Sequence, residues 1–355
     1  MSEIGDALAN VVVWECRVGS WLGGDFLGNI PITGGSVTWS RDRDVPGTLE
    51  LEVPEDIEGV SWVPLDNPEH PLARFGQELT VDVTVSDPAT GVEDEFQLGR
   101  FVIQNWDNDG GVVSVSAASM MSRVEDDRFT SPAATKTNGT IASEANRLTP
   151  SLCEIEIDSA LTDRRVPSMS WDESRIDSLK ELAEAWPARL RESRDGTIQF
   201  LSTIDTITVP ELVFTDGEGG TVITAAQSDS RESIYNIVVA RGQETDEDGK
   251  PSFQGIAQQT TGPLAVNGSY GRVPRYISSP LITSKSAADK SAKTMLQSSV
   301  ISSTVLRVTA APDPRVWIDT PFSAVRDGQD SWGLISGFTL PLLADGDMQF
   351  DMEVF

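Results

Sequence analysis

The sequence predicts a mainly β protein with α+β inserts: two antiparallel β-barrels flank a small α+β domain, and an insertion interrupts the second barrel. Three observations carry this. Near the C-terminus an Asp345-Gly346 turn leads into Met348, Phe350, Met352 and Val354 alternating with Gln349, Asp351 and Glu353. Alternation after such a turn marks an antiparallel strand with one buried face. Next, an ordered set of features occurs twice. Pro71-Leu72-Ala73-Arg74-Phe75 leads to Leu79, Val81, Val83 and Val85, then to Gly99-Arg100-Phe101-Val102-Ile103, an Asp109-Gly110 turn, and Val113, Val115 and Ala117. Pro312-Asp313-Pro314-Arg315-Val316-Trp317-Ile318, Trp332-Gly333-Leu334-Ile335 and the Asp345-Gly346 hairpin follow the same order. Reused turn chemistry can produce such an echo; its order and spacing favour two related barrels. The third observation is a helical stripe between them, described below.

A length of 355 residues suits two to four domains, and 39% hydrophobic content supports real cores. No apolar run approaches the ~18 residues of a membrane helix, so no stable membrane insertion is expected. Met1-Ser2-Glu3-Ile4-Gly5-Asp6 lacks the basic start of a signal peptide. Cys16 and Cys153 are too few for a disulfide framework, and reduced, buried thiols in a chain made in the cytoplasm are expected.

Acidic residues number 55 against 27 basic ones, for a net charge of -28. Nucleic-acid affinity comes largely from Lys and Arg on phosphates, so sequence-specific DNA binding is not expected. The excess serves solubility, or makes a wall that DNA passes without sticking; composition does not choose.

In order along the chain, Val11 to Val18 is the first strand, with turns at Gly23-Gly24-Asp25 and Thr33-Gly34-Gly35. Val37-Thr38-Trp39-Ser40 follows, then Arg41-Asp42-Arg43-Asp44, and then Leu49, Leu51 and Val53 alternating with Glu50 and Glu52. A proline-rich loop from Pro54 to Pro71 leads to the first meander, so residues 1–118 form the first barrel. Met120 to Phe129 is a polar connection. Thr137-Asn138-Gly139-Thr140 starts a helix with Ile141, Ala145 and Leu148 at helical spacing. A short strand surrounds Ile155 and Ile157. Ser170 and Glu173 have capping-box spacing, with Asp172 an alternative cap, before the stripe Ile176, Leu179, Leu182, Ala183 and Trp186. Pro187 ends that helix, because proline lacks the amide proton and clashes with the preceding turn. Leu190, the Arg194-Asp195-Gly196 turn, Ile198 and Phe200 form a hairpin beside it, completing an α+β domain at 119–205.

Strands resume at Ile207-Val209, Leu212-Phe214, Val222-Ile223 and the nearly all-apolar Ile234–Ala240, read as central. The second barrel therefore comprises 206–240 and 300–355. An insertion at 241–299 carries an acidic loop, Tyr270-Gly271-Arg272-Val273-Pro274-Arg275-Tyr276, and a helix from about Ser286 to Gln297. Val305 to Ala310 returns to the barrel.

No motif carries chemistry, and no catalytic, cofactor-binding or metal-ligating residue is assigned. His70, the one histidine, stands between Pro68 and Pro71 as an exposed structural residue. Asn267-Gly268-Ser269-Tyr270-Gly271 has Asn where a nucleophile elbow needs Gly. Asp216-Gly217-Glu218-Gly219-Gly220 lacks a βαβ setting. Glu244, Asp246, Asp248 and Gly249 start like a calcium loop, but Gly255 stands where its bidentate Glu belongs.

This organisation resembles the baseplate hub proteins of tailed bacteriophages, the tail-associated lysin or minor tail protein family. The resemblance spans essentially the whole chain. It is most specific in Trp171-Asp172-Glu173-Ser174-Arg175-Ile176 with the Asp195-Gly196 hairpin, Tyr235-Asn236-Ile237-Val238-Val239, Pro312-Asp313-Pro314-Arg315, and the ending Gly346 through Met352. It implies tube-protein-like barrels in a homotrimeric ring at the tail tip, two per subunit mimicking six-fold symmetry. The implied partners are a distal tail or tail tube protein, the tape measure protein, and tail-tip fibre or receptor-binding proteins, with DNA passing through the channel. Many members carry C-terminal hydrolase or fibre extensions. This sequence ends at the second barrel, so a structural virion component without lysin activity is expected. The alternative is a receptor- or carbohydrate-binding tip protein using exposed tryptophans, although Trp39, Trp106 and Trp317 sit in patterned strands. A hydrolase lacks a motif.

Overall fold

The computed structural model describes residues 12–65, 67–166, 168–186, 188–202, 209–218, 220–229, 234–242, 251–279, 282–300 and 304–354. The N-terminal part contains β1 (Val13–Leu22), β2 (Asp25–Ile30), β3 (Gly34–Ser40), β4 (Gly47–Pro54), a short pair β5 (Asp56–Ile57) and β6 (Val60–Ser61), β7 (Glu78–Asp87), β8 (Val92–Asn108) and β9 (Val112–Ser119). The middle part follows as α1 (Met121–Asp126), β10 (Ala133–Ala134), α2 (Ile141–Leu148), β11 (Ile155–Ile157), β12 (Ser170–Trp171), α3 (Arg175–Ala185), β13 (Ala188–Glu192) and β14 (Ile198–Ser202). After β15 (Leu212–Thr215) and β16 (Val222–Asp229) come β17 (Ile237–Gly242), β18 (Gln254–Gln258), β19 (Pro274–Ser279) and α4 (Lys285–Val300). The chain closes with β20 (Thr304–Ala310), β21 (Pro321–Arg326), β22 (Gln329–Pro341) and β23 (Met348–Val354).

The protein is mainly β, and the alternating patterns predict the buried faces. In β4, Leu49, Leu51 and Val53 are buried while Glu50 and Glu52 face out; β7 buries Leu79, Val81, Val83 and Val85; β23 buries Met348, Phe350 and Met352. Period-two alternation places such a set on one face of the pleat. The sequence echo corresponds to two antiparallel meanders, β7–β8–β9 and β21–β22–β23. Their central strands both carry an irregularity, at Ile103/Asn105 against β9 and at Ile335/Gly337 against β23. Strand β21 has no counterpart in the sequence reading. It completes the second meander and also pairs in parallel with β15, so this half is not purely antiparallel.

The two halves share one thirteen-stranded sheet, ordered β16-β20-β23-β22-β3-β4-β9-β8-β7-β1-β2, with β15 and β21 attached at β22. The long strand β22 makes the join. Its first half pairs with β21, and its second half, Gly337 to Pro341, pairs antiparallel with Ser40 to Ser36 of β3. One contiguous apolar core therefore runs across the seam, from Leu49 and Phe101 on one side to Phe338 and Phe350 on the other.

Strand β17 corrects the expected domain plan. Ile237–Gly242 lies in the middle of its own three-stranded sheet, antiparallel to β18 and parallel to β19, and is no part of the barrel sheet. Its apolarity reflects burial on both faces, under α4 on one side and Val266 on the other. The inserted unit thus begins before β17, and the direct partner of β16 is β20. The expected strand residues Ile207 and Thr208 lie outside the described residues, and Val209 is in no strand.

The middle part has a separate core in which Ile176, Leu179, Leu182, Ala183 and Trp186 of the predicted stripe meet Leu148, Trp171 and Phe200. Thr140 and Ser143 form a reciprocal capping box on α2. The cap of α3 differs from expectation: Ser174 accepts from the Asp177 amide at 3.2 Å. Ser170 is drawn off because Ser170–Trp171 pairs with Ala133–Ala134, which lets the buried Trp171 indole donate to Glu144 at 3.2 Å. Pro187 lies outside the described residues, and the last turn of α3 closes with the Trp186 amide on Leu182 and Ala183 carbonyls. Leu182 is fully buried in this core. Leu182→Asp is expected to unfold the middle part, since lost packing costs ~2–5 kcal/mol and an unpaired carboxylate adds more. A thermal melt matching that of the unaltered protein would contradict this assignment.

Candidate functional site: the polar face across the seam and its arginine clasp

The seam is fixed from its apolar side by Trp39. Its ring is 1% exposed, packs at 5.8 Å from Phe101 and 4.6 Å from Trp317, and donates its indole N–H to the Leu98 carbonyl at 3.0 Å. Gly47 permits this placement, because a Cβ there would stand 2.9 Å from the Trp39 ring. With Trp39 inward, Ser36, Thr38 and Ser40 of β3 face the opposite way, beside Thr339 of β22. Thr38 and Thr339 hydroxyls meet across the seam at 3.0 Å.

The same face continues on both sides. Cross-strand register places Glu50 and Glu52 of β4 beside Ser116 and Ser114 of β9, and Gln349 and Asp351 of β23 beside Thr309 and Arg307 of β20. Six strands thus present a surface of hydroxyls, amides and a few acids. The acids Glu50, Glu52, Asp351 and Glu353, which alternate with apolar residues along β4 and β23, come together on it. Asp82 does not, since β7 lies three strands beyond β4. There burial raises the Asp82 carboxyl against the opposing pull of Arg17. Arg307 offsets Asp351 with bonds of 2.8 and 3.0 Å, and Arg41 pairs with Glu353. Burial raises Glu50 above its ordinary value.

Beside the Trp39–Trp317 contact the middle part is clamped to both halves. The Arg194 guanidinium donates to the Gln97 carbonyl of the first half at 2.9 Å, and to the Pro314, Arg315 and Val316 carbonyls of the second at 3.0–3.1 Å. It lies 4.4 Å over the Trp317 ring. Burial lowers its pKa to about 10, so it stays charged at neutral pH. Gly196 completes the turn at φ +88°, where a Cβ would strike Met120 at 2.6 Å. Two motifs distant in sequence, the Asp195-Gly196 turn and Pro312-Asp313-Pro314-Arg315, are therefore one structural unit.

Beside it Asp319, in the left-handed region at φ +63°, accepts from Arg189 at 2.6 Å, Arg191 at 2.7 Å and Arg41 at 3.3 Å. Burial alone would raise its carboxyl, but Arg191, Arg189 and Arg41 outweigh that and hold it below the usual range. Sequence reading assigned no role to Asp319, Arg189 or Arg191. The available signal was Arg189-Leu190-Arg191, two cations on one face of a strand in an acid-rich chain. These arginines line a cleft of about 410 Å³ between the β3–β4 turn and the middle part.

The motifs considered for chemistry take structural places. His70 is half-buried, in contrast to the exposed position expected; its Nδ1 accepts from the Leu72 amide at 3.1 Å and its ring stands edge-on to Trp62. Asp216 accepts from the Asp327 amide at 2.8 Å, tying two turns together. Tyr270 donates to the Ile234 carbonyl at 3.2 Å. Glu244, Asp246, Asp248 and Gly249 lie outside the described residues. Burial pushes Cys16 up to about 12 and Cys153 to about 11, so both free thiols are held protonated at neutral pH. Trp39 is core and Trp317 and Trp106 pack against it, whereas Trp332 is 39% exposed.

No family model matches the sequence, and no characterised protein sequence matches it. Solved structures do. The tail protein from Neisseria meningitidis MC58 superposes with a TM-score of 0.67 at 12% identity, over 95% of this chain and 96% of that one. The 43 kDa tail protein of prophage MuSo2 from Shewanella oneidensis gives 0.65 at 15%, over 96% and 98%. Prophage tail protein gp18 from Listeria monocytogenes EGD-e gives 0.54 at 10%, over 95% and 94%. The chain has the fold of these tail proteins along nearly its full length.

Glu192 supplies a pH test of the junction. Its carboxylate accepts from the Met120 and Met121 amides at 2.8 and 3.0 Å, where the first half meets the middle part. Burial raises its pKa to about 7 from 4.5, against the opposing pull of Ser119 and the two amides. A raised folded-state value means the native state holds the proton more tightly. Its stabilising contribution is therefore complete below pH ~4.5 and lost as pH rises through about 7. Melting curves between pH 5 and 8 should show a downward component that Glu192→Gln removes. Parallel pH profiles for the two proteins would refute it.

Proposed function

We propose that this chain is a structural hub of a long-tailed phage tail tip, assembling as a homotrimeric ring. The carrying observation is the β3–β22 seam: two matching meanders in one chain joined edge to edge into a continuous sheet with one polar face. Three such chains supply six related β units, the number needed to continue a six-fold tube. The whole-length likeness to three tail proteins supports the tail assignment. In this reading the ring joins the tail tube or a distal tail protein to the tip, receives the end of the tape measure protein, and carries fibre or receptor-binding proteins. Its role is architectural rather than catalytic.

The polar face of β9, β4, β3, β22, β23 and β20 is the surface proposed to line the channel. Hydroxyls of Thr38, Thr339 and Ser116 hydrate the wall without holding phosphates. The acids Glu50 and Glu52 repel them, and the one cation on these strands, Arg307, is occupied by Asp351. DNA and an extended protein can then slide past with no sequence-specific contact.

Light scattering of the isolated protein, with subunit counting in assembled tips, is expected to give three copies; six copies per tip would exclude the ring as described. The channel assignment has its own test. Particles carrying Glu50→Lys and Glu52→Lys should release DNA more slowly at low salt than at high salt, because screening shortens the reach of the added attraction. Release at the unaltered rate in both conditions, or an image placing this face on the outside of the ring, would refute it.

A further inference from the structure

The cleft beside the arginine clasp is charged unlike the rest of the chain. Overall 55 acids stand against 27 bases, yet three guanidinium groups converge here, from Arg41 just past β3 and from Arg189 and Arg191 of β13. Their side chains are only 17%, 24% and 25% exposed. Two carboxylates are bonded to them: Asp319, which takes all three, and Glu353, which pairs with Arg41. Glu192, the next acid on the wall, turns its oxygens to the Met120 and Met121 amides instead, and burial keeps it partly protonated at neutral pH. At the rim Asp44 is held by Lys180, and Asp42 and Glu184 are exposed to water, which screens them. One positive charge in the cleft is therefore left without a partner carboxylate.

The arginines are also under-used as donors. Arg189 gives Nε to the Ser202 carbonyl at 3.0 Å and Nη1 to Asp319, and Arg191 gives Nε to Asp319 and Nη1 to the Leu190 carbonyl at 2.8 Å. The Nη2 group of each has no hydrogen-bond partner among the described residues. A guanidinium holds its donors in a fixed fork that the two oxygens of a carboxylate match. Crowding shows on Arg189: burial lowers its pKa first, and Arg191 and Arg41 lower it further, against the pull of Asp319. Cations pressed together away from water gain most from one more anion.

The cleft is too large for an ion alone. Its volume of about 410 Å³ falls in the range of small-ligand sites, roughly 300–1,000 Å³. Beside the arginines its wall is apolar, with Pro46, Leu190 and Ile318 each only partly covered by the fold. All three parts of the molecule contribute: Pro46 comes from the turn after β3, Leu190 from the middle part and Ile318 from the second half.

We propose that this cleft binds a single carboxylate carried next to an apolar group, as at the end of a polypeptide with an apolar last residue or on a small free acid. The carboxylate takes the open donors of Arg189 and Arg191, and the apolar group covers Pro46, Leu190 and Ile318. A ligand seated there touches all three parts at once and stiffens their junction. The site is separate from the polar face and does not depend on the ring.

The test is calorimetric titration of the full chain at low salt with acetyl-leucine, with its amide, and with an acetylated tetrapeptide that ends in leucine and a free carboxylate. The two acids are expected to bind with dissociation constants of about 1 mM or below, and the amide about tenfold more weakly, because a charge-assisted pair exceeds a neutral one by that margin. Each acid should raise the melting temperature with its occupancy. A tetrapeptide that binds more tightly than acetyl-leucine supports a chain end as the source, and equal binding supports a small free acid. Arg191→Gln should abolish the preference for acid over amide. That change also disturbs Asp319, so two exposed rim residues supply variants that leave the cluster whole. Arg43→Glu should weaken the acids about threefold and Glu184→Lys strengthen them by a similar factor, both effects shrinking at high salt. Equal binding of acid and amide, or neither heat nor a melting shift from any probe at about 10 mM, overturns the site. Sulfate that displaces the acids at equal concentration overturns the apolar half of the assignment.

Discussion

The Arg194 guanidinium lies over Trp317, Trp317 leans on Trp39, and Trp39 packs on Phe101, so one run of stacked groups passes through all three parts of the molecule. Each contact is modest; a desolvated cation–π pair contributes ~2 kcal/mol. The constraint is geometric. Arg194 forms no ion pair among the described residues and is satisfied by four backbone carbonyls from two distant segments. Moving either half away would leave a buried charge short of acceptors, which costs far more than losing a surface pair.

The seam between β3 and β22 depends on that arrangement. A strand pair adds backbone hydrogen bonds, but register alone does not stop two sheets from sliding or hinging. Trp39 is locked by its bond to Leu98 and by the rings on either side, so β3 can present only Ser36, Thr38 and Ser40 outward. A one-residue slip would put Val37 and Trp39 on the polar face and bury serines in the core. Core packing on one side thereby dictates the chemistry of the other.

Charge follows the same division. Asp319 collects three arginines and Glu78 two where packed units meet, and Glu144 takes one inside the middle part. Spending cations on interior acids leaves the outward acids largely unneutralised. The net charge of -28 is thus expressed on the surface.

Local pattern was enough for the strands that meet one core. Leu49-Glu50-Leu51-Glu52-Val53 and Met348 through Val354 state which side is buried, because alternation with period two has a single solution against an apolar interior. The stripe from Ile176 to Trp186 states its helix for the same reason at period 3.6. The repeated order of Pro-x-x-Arg, Gly-led strand and Asp-Gly hairpin was legible as two meanders. Local pattern could not say that β17, apolar throughout, belongs to another sheet: burial on both faces looks alike whichever neighbours supply it. Nor could it show that Ser170 would be taken by a strand pair, leaving Ser174 as cap. The seam, the Asp319 cluster and the Arg194 clasp were beyond it altogether. Each joins residues from about 100 to 300 positions apart, and such contacts exist only once the strands have been brought to their register. Composition and alternation in the sequence by themselves determined a β protein with paired meanders and an acidic exterior. Tertiary structure alone decided that the two meanders share one sheet, because only the packing of Trp39 against Trp317 brings β3 to the free edge of β22.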